Sequence, residues 1–82
     1  MCRNITILRG LEPPANADEI EASARQYVRK VSGIRHPTDA TRDVFEAAVA
    51  AIAAETATLL TSLPPRRNPP KSVPPMRLHG TP

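Results

Sequence analysis

One cysteine, one phenylalanine, one tyrosine, three glycines and no tryptophan stand among 82 residues. Each scarcity excludes something. Cys2 is the sole thiol, so no intrachain disulfide can form. A lone thiol points to a reducing compartment, and a cytoplasmic protein is expected. The soft or imidazole ligands are Cys2, His36 and His79, with no C-x-x-C or H-x-x-x-H spacing. A closed zinc site needs four ligands, so no metal is expected. Three scattered glycines make no phosphate loop, and Ser23, Ser32 and Ser62 carry no nucleophile elbow. No cofactor is implied. Ile5-Thr6-Ile7-Leu8 is too short for the apolar core of a signal peptide. The Asn4-Ile5-Thr6 sequon therefore carries no weight.

Large side chains are equally scarce. Apolar residues make up 40% of the chain, but twelve of them are alanine. A single core of this size supplies only about 3–5 kcal/mol of net stability. A thin core and the short chain argue against an enclosed active site. Charge is present but segregated. Residues 1–63 carry seven bases and eight acids, net −1, whereas 64–82 carry four bases and no acid, net +4. The basic character belongs to the tail and not to the body.

Pattern divides the body into an arm, 1–15, and two helices. Ile5, Ile7 and Leu8 form a short extended piece with Leu11 nearby, and Glu12-Pro13-Pro14 stops it. The first helix is predicted over about 16–32. Asn16 and Glu19 have capping-box spacing, acids lie at the start and Arg29 and Lys30 at the end. Its apolar stripe is Ile20, Ala24, Tyr27, Val28 and Val31. Gly33 ends it, with Ile34 folding back on Val28. After Pro37 a second helix is predicted over about 39–62, capped by Thr38, with Thr41 as the alternative. Phe45, Val49, Ile52, Thr56, Leu59 and Leu63 follow a 4-3-4-3-4 spacing, a heptad seam. Eight of the twelve alanines fall in 39–62 and leave a slim surface that a helix can approach closely. Residues 47–63 carry one charge, Glu55, near the middle; a soluble amphipathic helix is expected there and not a membrane span. The tail, 64–82, holds seven prolines, six of them in three pairs that recur every five residues. It is expected to be extended or disordered, and it lacks P-x-x-P spacing. The fold class is all-α: a two-helix antiparallel hairpin, residues 1–63, with a packed arm and a disordered proline-rich tail.

Met1-Cys2-Arg3-Asn4-Ile5, Glu12-Pro13-Pro14-Ala15, Tyr27-Val28-Arg29-Lys30-Val31-Ser32-Gly33, Pro37 and Phe45-x-x-Ala48-Val49 together resemble the small bacterial family catalogued as Domain of Unknown Function 2277. The resemblance covers about residues 1–63 and leaves the proline tail outside. It implies a short helical domain and no activity, substrate or catalytic residue.

Three functions compete. The leading one is a non-enzymatic interaction module, a homodimer or a binder of a small protein. Its interface would bury Phe45, Val49, Ile52, Leu59 and Leu63. The second is a nucleic-acid accessory protein. Arg25, Arg29, Lys30 and Arg35 would face phosphate, and the tail would add counterion-release affinity. Against it, Glu21 pairs with Arg25 at i,i+4, and no aromatic but Tyr27 could stack a base. The third is a thiol activity at Cys2. Removal of Met1 would place an α-amine beside the thiol, near Arg3. The plain alternative is a small packing thiol.

Overall fold

The computed structural model describes residues 5–64, 74 and 77. Two helices follow in order, α1 (Ala17–Ser32) and α2 (Arg42–Ser62), and the described residues contain no strand. They pack as a hairpin, with the N-terminal arm laid against both. The all-α hairpin expectation holds. Most of 64–82 lies outside the described residues, and the expectation of disorder there lies outside them too.

Helix α1 starts and stops where its sequence dictates. Asn16 Oδ1 accepts the Glu19 N–H at 2.8 Å, and the Asn16 N–H donates to Glu19 Oε1 at 3.0 Å. Both orphan donors are thereby satisfied. At the other end Gly33 sits at φ +73°, its N–H donating to the Arg29 carbonyl at 2.9 Å. Only glycine adopts that conformation without a Cβ penalty.

Helix α2 starts three residues later than predicted, because a turn forms first. The Thr41 and Arg42 N–H groups donate to the Thr38 carbonyl at 3.1 and 2.8 Å. The Thr38 N–H in turn donates to Thr41 Oγ1 at 2.9 Å. Thr41, not Thr38, occupies the cap position, and its hydroxyl is turned back to Thr38 and not toward the first turn.

Two small apolar clusters hold the hairpin. Ala24 and Val28 of α1 meet Phe45 and Val49 of α2, with Ile34, Ile52 and Ala53 around them. Leu8 and Leu11 of the arm meet Ile20, beside Ala53, Ala57 and Leu60. Ala53 touches both clusters, so the core is continuous although few large side chains build it. Ile34 folds back as expected. Tyr27 and Val31 correct the predicted stripe: they are 49% and 65% exposed. One partner helix covers a stripe only about 100° wide, and Ile20, Ala24 and Val28, at i, i+4 and i+8, fill it. Ties at one end of the hairpin complete the fold. Arg9 Nε and Nη2 donate to the Pro64 carbonyl at 3.2 and 2.9 Å, pinning the arm to the end of α2.

Candidate functional site

The predicted seam of α2 divides between inside and outside. Phe45 and Val49 are buried against α1 and are not available to a second chain. Ile52 is half-buried, Leu59 is 54% exposed, and Leu63 lies at the exposed end. A groove of about 280 Å³ runs between the arm and the two helices, lined by Ile5, Thr6, Tyr27, Ile52, Thr56 and Leu60 among others. It continues across Ile52 and Thr56 into a shallower hollow lined by Ala51, Glu55 and Leu59. The two together make one apolar flank.

Thr56, which lines both hollows, donates its hydroxyl to the Ile52 carbonyl at 2.7 Å. A hydroxyl turned back onto the helix leaves its methyl group outermost. Thr6 Oγ1 is the exception, buried in the groove wall with no hydrogen-bond partner. By length and composition α2 could cross a membrane, although it packs against α1 through Phe45 and Val49.

The arginines singled out for phosphate are largely engaged within the chain. Arg25 Nη1 and Nη2 donate to Glu46 Oε2 and Oε1 at 2.7 and 2.9 Å. Its guanidinium also lies 5.9 Å from the centre of the Phe45 ring and 3.9 Å from Glu21. The hydrogen bond from Arg25 holds the Glu46 carboxyl below the usual glutamate range. Arg29 Nε donates to the Arg35 carbonyl at 3.1 Å. Lys30 and Arg35 are exposed at the α1 end and the following turn. Cys2 and His79 lie outside the described residues, and His36 is exposed in the inter-helix turn. No metal-holding group of His, Cys, Asp or Glu occurs among the described residues.

A second constellation, not foreseen from sequence, lies at the open end of the hairpin, the end where Arg9 holds Pro64. Glu19 is 3% exposed, yet its carboxylate is fully employed. Arg77 Nε donates to Glu19 Oε2 at 2.6 Å and Arg77 Nη2 to Glu19 Oε1 at 3.1 Å. The same Nη2 donates to the Pro13 carbonyl at 2.7 Å, with the Pro14 carbonyl at 3.4 Å. A carboxylate and two carbonyls thus surround one planar fork, the geometry that arginine fits and lysine does not. The bond from Arg77 outweighs burial and keeps the Glu19 carboxyl below its ordinary range, with the Asn16 N–H adding to it. Pro74 is buried beside this contact, and its carbonyl accepts the Arg77 N–H at 3.0 Å. At these two positions, 74 and 77, the chain touches the body. Burial of Glu19 made a cationic partner necessary, but 58 residues separate the pair. The available signal was the charge split: a tail with four bases and no acid, and a body with net −1.

Neither a curated protein nor a solved structure matches the chain. A family described as "Uncharacterized conserved protein (DUF2277)" matches residues 1–77. The match runs past the expected limit at 63 and takes in the docked segment, so the proline tail as far as Arg77 is not outside the shared pattern. By that match across nearly its whole length, the chain belongs to the Domain of Unknown Function 2277 family.

Proposed function

We propose that the protein is a non-enzymatic interaction module that self-associates through the apolar flank of α2. The observation that carries this reading is the exposure of Ile5, Tyr27 and Leu59 around one groove on a chain so poor in large apolar residues. A two-helix layer covers one side of each helix only, and contiguous exposed apolar surface marks an interaction site. A second copy offers the same apolar flank, and Ala51 within it leaves room for a helix to approach. Glu55 at the middle of α2, together with the packing of Phe45 and Val49, favours a protein partner over a bilayer.

The nucleic-acid reading is weaker, because Arg25 is neutralised by Glu46. Sedimentation velocity across a concentration series tests the leading reading. Wild type sediments as two chains at high concentration, and Leu59→Asp as one chain with unchanged helicity. Ala54→Glu is the control: five residues away, it lies about 140° round the helix and leaves the two-chain species in place. A wild type that stays monomeric throughout overturns the reading.

A further inference from the structure

The main chain of the arm is unclaimed where the arm crosses the helices. Among the described residues, no hydrogen bond reaches an N–H or a carbonyl of Ile5, Thr6, Ile7 or Leu8. Burial alternates along the same four residues. Ile5 and Ile7 are 43% and 48% exposed, Thr6 is partly buried, and Leu8 is buried with Ile20. A period of two is that of a strand, and β-branched residues at three of the four positions suit one. The segment is thus a strand edge without a sheet. Such an edge is a template for another extended chain unless charge or proline guards it, and residues 5–8 hold neither.

The segment that fits this edge is on the page: the same arm of a second copy. It is extended, carries an unpaired edge of its own and repeats the isoleucines at the spacing needed to face these. A lone pair of strands is marginal in water, but here helices support each strand, through Leu8 against Ile20 and Leu60. The place is also right. Ile5 and Thr6 line the groove that continues into the hollow of Ala51, Glu55 and Leu59. One two-fold axis can therefore serve both the arms and the helix flanks.

We propose that the arms of two copies pair antiparallel, edge to edge, with Thr6 opposite Thr6 of the other and Ile5 opposite Ile7. The proposal rests on the self-association reading and names the contact that sets its register. A two-fold axis normal to the ribbon keeps Thr6 and Leu8 of both arms toward their own helices, whereas a slip of one residue would turn one arm over. Centring on Thr6 pairs each exposed isoleucine with another. Centring on Ile7 would instead set Ile5 against Arg9, whose guanidinium is held at the Pro64 carbonyl. Threonines directly opposite each other hydrogen-bond across strands, and in the single chain no bond holds the Thr6 hydroxyl where it is.

Cysteine cross-linking of the full chain tests the register, with Cys2→Ser removing the native thiol. Residues directly opposite in an antiparallel pair have Cα atoms about 4.5–5.5 Å apart, within reach of a disulfide, whereas diagonal neighbours at about 7–8 Å are at or beyond its limit. In a glutathione buffer, at a concentration where wild type sediments as two chains, Thr6→Cys should join to itself. A mixture of Ile5→Cys and Ile7→Cys should give the mixed disulfide, and Ile7→Cys alone should stay largely reduced. Ile5 and Ile7 are exposed, so the mixture remains decisive if Thr6→Cys does not fold. Ile7→Cys joining to itself as fast as the mixture forms overturns the register, and a two-chain wild type whose mixture stays reduced overturns arm pairing while leaving the flank contact standing. A monomeric wild type overturns the self-association reading and this pairing with it.

Discussion

Phe45→Ala is the substitution that probes the hairpin most severely. The ring is 3% exposed and packs with Ala24, Val28 and Val49, so no solvent or flexible loop can fill the space that it leaves. Truncating a buried phenylalanine costs about 3–5 kcal/mol through lost burial and the residual cavity. The alanines around it cannot grow inward to compensate. A core this small supplies about the same total, so the variant should be largely unfolded at 25 °C. The loss also removes the ring beneath Arg25, a smaller contribution of about 0.5–1 kcal/mol. Far-UV circular dichroism during urea titration measures the effect. Val44→Ala is the companion: one residue away on the same helix but 75% exposed, it should shift stability by no more than about 0.5 kcal/mol. If Phe45→Ala retains a cooperative transition near the wild-type midpoint, or if Val44→Ala is equally damaging, the buried side of α2 has been assigned wrongly.

Other substitutions test local elements. Gly33→Ala should destabilise by about 1 kcal/mol in the same titration; the cause is the positive φ, since an added Cβ meets nothing within 4 Å. Thr6→Val should stabilise by about 1 kcal/mol, because it removes a buried hydroxyl that has no partner. The Glu19 carboxyl has a depressed pKa in the folded state. Its contribution is therefore present above the ordinary glutamate range and is lost as pH falls through the folded value. Glu19→Gln should flatten the acid limb of the stability–pH profile, and an unchanged limb would contradict the pairing with Arg77.

Sequence carried the local features well. The Asn16–Glu19 box, the glycine stop at Gly33 and the fold-back of Ile34 all arise from neighbours within a few residues, where capping chemistry and periodicity act. It was weaker wherever two elements compete for one side chain. Thr38 was the better cap by position, yet the turn that it forms with Thr41 starts α2 at Arg42. Tyr27 and Val31 satisfied a helical stripe, but one facing helix was too narrow to cover them. The 4-3-4-3-4 spacing of α2 marks a stripe, but spacing cannot say that α1 takes Phe45 and Val49 and leaves Leu59 outside. Nor can periodicity connect Glu19 with Arg77, because the link is made by tertiary placement and charge alone.

Residue-resolved dilution tests the division of α2 into an inward and an outward side. In methyl NMR spectra recorded from high to low concentration, the methyls of Ile5, Ile52 and Leu59 should move together along one association curve. Those of Val28 and Val49 should stay fixed. Methyl positions independent of concentration, or movement centred on Val28 and Val49, would contradict a hairpin that keeps its core to itself and offers its outer flank to a second copy.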